Sequence, residues 1–181
     1  MKISVSISAY SSEPDEEHKD KAMKFLEEFD TRSERWISFY ALGGYRGLMK
    51  YAADLLLSRG RKVVMILPLE YEDENIPEDV IKIKAGTTFT NRNIIMVRSG
   101  DALLCLGGGL GSITEIVNAL AMGKLAIVLR GTGALTDSLE KSLEEGEVDP
   151  RKGGVLKYVE TAGEAIEVIE NHFKLRNEIL K

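Results

Sequence analysis

The sequence contains very little cysteine and histidine. The single cysteine, Cys105, excludes a disulfide within the chain, and its position in the apolar run from 102 to 106 predicts a thiol buried in the core. The two histidines, His18 and His172, have no Cys, Asp or Glu at a spacing typical of metal ligands. We therefore expect no metal site and no cofactor.

Long apolar runs and an excess of basic residues are also missing. No stretch approaches the roughly 18 apolar residues of a membrane span, and the first residues alternate apolar with serine, unlike a signal peptide. The net charge of −5 argues against a broad nucleic-acid surface but leaves room for a local anion site. We expect a cytoplasmic protein with neither membrane nor nucleic acid as a partner.

The composition that remains is typical of a globular protein. The chain has 181 residues, of which 44% are hydrophobic and 29% charged, so we predict one domain over residues 1–181. Strands are predicted at 2–8, 34–42, 61–67, 102–106, 125–129 and 155–159. Helices are predicted at 16–30, after 47, around 113–121, at 137–145 and from 162 onward.

This alternation of strands and helices predicts an α/β fold. Several of the strands are apolar without alternation, which is typical of parallel strands covered on both faces. The expected architecture is a Rossmann-like, doubly wound, mostly parallel sheet with helices on both faces. The acidic segment at 68–78 predicts a surface loop and is a candidate lid.

Two glycine-rich segments each follow a predicted strand, ALGGYRGLM at 41–49 and LGGGLGSITE at 106–115. Glycines let a backbone approach an anion closely, and the following helix offers unpaired N–H groups. Four glycines between 107 and 111 exceed what a turn requires, so we predict phosphate binding there. For Gly43 and Gly44 alone, a simple tight turn is an equal alternative. Neither segment is a P-loop or a complete G-x-G-x-x-G motif, which makes dinucleotide binding the weaker hypothesis.

Two side chains near these segments have both a structural and a functional interpretation. Glu115 ends an S-x-x-E capping box, and a similar box from Thr161 to Glu164 has no glycines around it. Position alone therefore leaves Glu115 as either a helix cap or a catalytic group. An isolated arginine such as Arg92 is usually solvated, yet its planar cation suits a phosphate.

Taken together, these segments resemble the Lonely Guy family of nucleoside-monophosphate phosphoribohydrolases, long mislabelled lysine decarboxylases. GGLGSITE at 108–115 is similar to the family's PGGxGTxxE motif, and GGYRGLM at 43–49 is similar to its GGxxGLM loop. Arg92, within NRN at 91–93, lies where the family has its arginine motif. Order and spacing agree over residues 1–130 or so.

The resemblance implies a Rossmann-like homodimer that hydrolyses the N-glycosidic bond of a nucleoside 5′-monophosphate of cytokinin or purine type. The products would be the free base and ribose 5-phosphate. Arg92 and Glu115 would be the catalytic pair, with Glu115 kept ionised by the helix start and stabilising positive charge on the ribose. The residues that bind the AMP-like nucleotide and its phosphate would be Gly43, Gly44, Gly47, Gly108, Gly109, Gly111 and Ser112.

The sequence also departs from the family pattern. Gly107 replaces the proline of the motif, Ser112 replaces its threonine, and Asn93 replaces a basic residue. The segment SAYS at 8–11 stands in place of a Gly-Ser turn. Non-catalytic relatives include molybdenum-cofactor carrier proteins with the same fold. A nucleotide or molybdenum-cofactor carrier without turnover is therefore the alternative function.

Overall fold

Eight strands form the central sheet of the computed structural model, which describes residues 2–179, with side chains through residue 174. The strands are β1 (Ile3–Ser8), β2 (Ile37–Leu42), β3 (Val63–Leu67), β4 (Ile81–Lys84), β5 (Ala102–Cys105), β6 (Leu125–Leu129), β7 (Gly146–Asp149) and β8 (Gly154–Val159). Their order is β4-β3-β2-β1-β5-β6-β8-β7, and every neighbouring pair is parallel except β7 and β8. The predicted Rossmann-like, mostly parallel α/β fold is confirmed.

Helices cover both faces of this sheet. They are α1 (Glu16–Ser33), α2 (Gly47–Ser58), α3 (Phe89–Ser99), α4 (Leu110–Ala121) and α5 (Ala162–Ile179). Alternate residues of β5 belong to two different apolar clusters: Leu104 lies in the cluster that includes Leu56 of α2, and Cys105 lies in the cluster that includes Ile116 of α4. The helices α1, α2 and α5 thus lie on one face, and α3 and α4 lie on the other. Cys105 is a free, buried thiol, as predicted.

The region between 68 and 101 differs most from the sequence-based prediction, which contains neither α3 nor β4. All four side chains of β4 are exposed at the edge of the sheet, although its sequence IKIK alternates apolar and charged residues over four positions. The buried side of α3 includes the polar residues Arg92 and Asn93, which weakens its amphipathic signal. The acidic segment is a surface loop with a short 3₁₀ turn at Leu69–Tyr71.

Smaller differences occur near the C-terminal half of the sheet. The helix predicted at 137–145 is a 3₁₀ helix at Leu135–Lys141, and the short antiparallel strand β7 follows it without having been predicted. The second strand begins at Ile37, three residues later than predicted, because α1 continues to Ser33. Within the described residues, no helix is both long and apolar enough to cross a bilayer.

The order in which strands are added to the sheet changes side between β1 and β5, which are parallel neighbours. Strands β2, β3 and β4 extend from one side of β1, whereas β6, β8 and β7 extend from the far side of β5. In open α/β sheets, ligands bind beyond the carboxyl ends of the strands at such a switch point. The loops that follow β1, β2 and β5 all end at this edge, and the last two contain the glycine-rich segments.

Candidate functional site

Two adjoining cavities open at this edge of the sheet. The first cavity, of about 200 Å³, lies between the loop after β1 and the starts of α3 and α4. The second cavity, of about 310 Å³, lies between the loops after β1 and β2 and the acidic segment. Ser11, Met49, Phe89 and Arg92 line both cavities. One elongated ligand can therefore span the two cavities along this shared wall.

Glu115 faces the first cavity from the second turn of α4, and its side chain is 7% exposed. Burial raises the pKa of Glu115 to about 7, although the nearby Ser8 hydroxyl and the charge of Arg92 act in the opposite direction. Burial therefore opposes the ionised state that was expected for Glu115 at the helix start, because desolvation disfavours the charged carboxylate. A carboxyl group with a pKa near neutrality can both take up and release a proton at pH 7.

The interpretation of Glu115 as a helix cap is also wrong. The N-cap of α4 is Gly109, and no side chain caps that helix. The comparison box at the start of α5 does form: Glu164 Oε2 accepts from the N–H of Glu160 at 2.8 Å, and Thr161 Oγ1 accepts from the N–H of Glu164 at 3.3 Å. Only the second S/T-x-x-E sequence is thus a capping box, and Glu115 is left for another role.

Arg92 lies between the two cavities and is 2% exposed, so the expectation of a solvated arginine at the edge of the site is wrong. Its Nε and Nη1 atoms are buried and have no hydrogen-bond partner among the described residues. Burial lowers the pKa of the guanidinium, while the charges of Glu115 and Glu70 partly compensate. Unpaired buried donors on a cation are costly, and an anionic ligand would satisfy them.

The first turn of α4 provides backbone donors for such a ligand. Gly109, Gly111 and the buried Ser112 line the first cavity. Because no side chain caps α4, the N–H groups of this turn lack an intrahelical acceptor. Gly108 does not line the cavity, and its N–H donates to Thr136 Oγ1 at 3.2 Å. The open donors therefore begin one residue later than the family motif implies.

The glycines of the other segment have different surroundings. A Cβ atom on Gly43 would overlap the guanidinium of Arg92, so the absence of a side chain makes room for that arginine. Gly44 lines the second cavity. Gly47 does not line it; this residue has a φ of 49° and packs against the backbone of Ser12. Gly43 and Gly44 thus line the second cavity, whereas Gly47 supports the adjoining loop from behind.

Comparison with known proteins shows the family to which the chain belongs. Residues 34–165, which include both glycine-rich segments, Arg92 and Glu115, match the SLOG cluster4 family. The chain belongs to the SLOG cluster4 family. The resemblance to the Lonely Guy proteins is confirmed with it, since curated relatives of that type also match.

One such relative of this SLOG cluster4 protein is the probable cytokinin riboside 5′-monophosphate phosphoribohydrolase LOGL2 of Oryza sativa subsp. japonica. It is 27% identical over 165 residues, which cover 86% of this chain and 66% of LOGL2. The chain thus spans just under two thirds of the length of that relative.

Solved structures show the same fold. The X-ray structure of TM1055 has 30% sequence identity to this chain and a TM-score of 0.79. The match covers 94% of this chain and 99% of TM1055. The structure of the molybdenum cofactor binding protein from Rippkaea orientalis has 21% sequence identity to this chain and a TM-score of 0.71. The match covers 96% of this chain and 98% of that protein.

Several residues of the site were missed by sequence reasoning. Tyr10 and Ser11 line the first cavity, whereas their segment stood out in the sequence only as a departure from the family's Gly-Ser turn. Their place after the first strand, at the switch point, is a signal for such a position. His18 is 4% exposed, and its Nε2 lies 2.8 Å from the carbonyl oxygen of Leu106, at the entrance to the glycine segment. Its charged neighbours in the sequence conceal this burial. Among the described residues, no group of three or more His, Cys, Asp or Glu could hold a metal ion.

Proposed function

We propose that this SLOG cluster4 protein hydrolyses the N-glycosidic bond of a nucleoside 5′-monophosphate of purine or cytokinin type. The products are the free base and ribose 5-phosphate. The observation that carries the proposal is the position of Glu115, a buried carboxyl group with a pKa near 7, beside unpaired cationic and backbone donors. This combination joins a proton-transfer group to an anion site within one cavity.

The phosphate is the part of the ligand that the first cavity suits best. The open N–H groups at the start of α4 and the positive end of its dipole favour an anion. Arg92 adds a planar cation whose Nε and Nη1 donors are free among the described residues. We infer that Gly109, Gly111, Ser112 and Arg92 hold the 5′-phosphate and the adjoining ribose.

Glu115 then acts on the bond between ribose and base. Departure of the base leaves positive charge on the ribose, which a nearby carboxylate stabilises. Water attacks the anomeric carbon, the bonding electrons leave with the base, and Glu115 accepts a proton from the water. The proton that the departing base requires comes from solvent or from this carboxyl group. A pKa near 7 allows Glu115 to be ionised for this step and to release its proton afterwards.

A carrier of a nucleotide or of the molybdenum cofactor is the second candidate. One observation favours it: Asn93 takes the place of the family's basic residue, and its Oδ1 atom is buried without a hydrogen-bond partner among the described residues. A neutral amide cannot deliver a proton to a leaving group. Binding without turnover would support the carrier.

We also propose that the protein is a homodimer. The only charged residue of α4 is the buried Glu115. Its outer stripe of Leu110, Thr114, Val117 and Ala121 is exposed, with Leu110 at 75% and Val117 at 50%. A helix without charge on its outer face normally packs against another surface. A second copy would cover this stripe beside the first cavity.

The test is turnover of a panel of purine and cytokinin-type nucleoside monophosphates, with release of base and ribose 5-phosphate as the readout. We expect turnover of at least one monophosphate and little turnover of the matching nucleoside. Glu115→Gln should lower the rate at least about a hundredfold, the usual effect of removing a directed electrostatic contact.

The matched control is Glu164→Gln, which changes the same functional group in the capping box of α5. Its rate should stay close to that of the wild type, because Glu164 lines neither cavity and accepts from the N–H of Glu160. Equal and small effects of the two substitutions would contradict the catalytic role of Glu115. Tight binding of a monophosphate without any turnover would favour the carrier.

A further inference from the structure

Strand β1 presents a row of serines toward α3 and α4. Ser4, Ser6 and Ser8 alternate with the apolar residues of the strand, and all three are buried. In the parallel pairing of β1 with β5, Ser8 lies opposite Cys105, which belongs to the apolar cluster on the side of α3 and α4. Residues directly paired across neighbouring strands point to the same face of a sheet. The side chain of Ser8 therefore faces these two helices.

Two of the three hydroxyl groups anchor α3 and the turn that follows it. Ser6 Oγ donates to the carbonyl oxygen of Met96 in α3 at 2.7 Å. Ser4 Oγ donates to the carboxylate of Asp101, just after α3, at 2.9 Å. Ser8 Oγ is buried but has no hydrogen-bond partner of ordinary geometry among the described residues. A buried hydroxyl without a partner is costly, so Ser8 requires a reason other than anchoring.

The nearest group that gives such a reason is the carboxyl group of Glu115. The Ser8 hydroxyl lies near enough to this carboxyl group to lower its pKa, against the effect of burial. Residues 9–11, which follow Ser8 directly, line the same cavity as Glu115. A hydroxyl can donate to a carboxylate and can also accept from a neutral acid. Ser8 is therefore a suitable neighbour for Glu115 in both protonation states.

The ionisable groups around Glu115 and its direct neighbours come from five different segments. They are Tyr10 after β1, Glu70 of the acidic segment, Arg92 of α3, Cys105 of β5 and Asp137 of the 3₁₀ helix after β6. Arg92 acts on Glu115 through its charge. Burial raises the pKa of the Cys105 thiol to about 12, so this group stays neutral between pH 6 and pH 9. Ser8 is thus the one neutral hydroxyl group that acts on Glu115 within the described part of the chain.

We propose that Ser8 is a positioning residue of this site, whose hydroxyl donates a hydrogen bond to the ionised carboxylate of Glu115. This inference rests on the proposed function, in which Glu115 accepts a proton from the attacking water. The hydrogen bond offsets part of the cost of the buried charge, so more of the protein contains the ionised base at neutral pH. After the proton transfer, the hydroxyl accepts from the neutral acid, and Ser8 itself neither gains nor loses a proton.

The first experiment titrates Glu115 in the ligand-free protein by NMR of ¹³C-labelled glutamate carboxyl groups, with Glu115→Gln to assign the signal. Ser8→Ala should raise the pKa of Glu115 by at least about one pH unit, as for the loss of a hydrogen bond to a charged group. The variant should fold, because the hydroxyl that it removes has no partner of ordinary geometry in the described residues.

The matched control is Ser6→Ala, which removes a hydroxyl from the same face of the same strand. It breaks the hydrogen bond to Met96 and should lower the stability of the protein. The pKa of Glu115 should nevertheless stay at its wild-type value, because Ser6 does not act on this carboxyl group.

The second experiment measures kcat/KM against pH for a monophosphate that the wild type turns over. The acidic limb of the wild-type profile should follow the titration of Glu115 near pH 7. Ser8→Ala contains less carboxylate at low pH, so its kcat/KM should be about tenfold below the wild type at pH 6 and close to it at pH 9. Ser6→Ala should keep the midpoint of the wild-type profile.

Three results would overturn the role of Ser8. They are an unchanged pKa of Glu115 in Ser8→Ala, an equal rise in both serine variants, and a loss of kcat/KM by the same factor at every pH. The last result would indicate a packing defect. If the wild type turns over no monophosphate, the proposed function fails, and the titration by NMR still decides whether Ser8 donates to Glu115.

Discussion

At the scale of single residues, burial decides how Glu115 behaves. The carboxyl group has a pKa of about 7 in the folded protein and an ordinary value of 4.5. Between these values the folded protein binds more protons than the unfolded chain. The neutral acid therefore contributes stability fully below pH 4.5, and this contribution is lost as the pH rises to about 7.

This difference predicts that Glu115→Gln stabilises the ligand-free protein at high pH. Glutamine stays neutral, so the variant avoids the cost of a buried charge above pH 7. At 1.36 kcal/mol per pKa unit, its free energy of unfolding should gain about 2 to 3 kcal/mol on the wild type between pH 4.5 and pH 8. Urea unfolding at the two pH values measures the gain. Glu164→Gln is the control and should show no such gain, and an equal gain in both variants would contradict the buried charge.

The two catalytic candidates show what a residue pattern can reveal and what it cannot. The motif resemblance singles out Arg92 and Glu115, because each lies in a segment that is similar to a family motif. It does not predict their burial, since that depends on how α3 packs against α4. An arginine looks solvated by composition, and a carboxyl group at a helix start looks ionised. At this site Arg92 is buried and the pKa of Glu115 is raised, because each side chain is desolvated in a cavity wall.

At the scale of elements, the buried strands are the most predictable part of the fold. The strands β5 and β6 are apolar throughout and are covered on both faces, so their composition indicates their place. The edge strand β4 was missed because its alternating segment, IKIK, is only four residues long, and helix α3 was missed because its buried face includes Arg92 and Asn93. The site depends on α3, which contains Arg92. The least predictable helix thus supplies one of its central residues.

The start of α4 allows a test in which fold and function respond in opposite directions. A Cβ atom on Gly111 would meet nothing within 4 Å, so Gly111→Ala should raise the stability of the ligand-free protein by up to about 1 kcal/mol. The same methyl group would take up space that a phosphate needs at the first turn. We therefore expect AMP to bind at least about tenfold more weakly, as measured by calorimetry.

Gly163→Ala is the matched control, because Gly163 is the second residue of α5 as Gly111 is of α4. Its Cβ atom would approach only the flexible end of Arg32, apart from a 3.7 Å contact with Thr161. This variant should fold normally and bind AMP as the wild type does. Unchanged AMP affinity in Gly111→Ala would contradict the proposal that the phosphate binds at the start of α4.

At the scale of the whole molecule, the uncharged outer stripe of α4 predicts self-association. We expect light scattering after size exclusion to give about twice the chain mass of 20.0 kDa. Val117→Lys would place a charge in the proposed interface and should shift the protein to the monomer, because a buried unpaired charge is costly.

The control is Ile81→Lys on the edge strand β4, where the exposed fraction is similar, 54% against 50% for Val117. A monomeric wild type would contradict the dimer. A dimer that survives Val117→Lys but not Ile81→Lys would move the interface from α4 to the edge of the sheet, and the first cavity would then lie away from the partner.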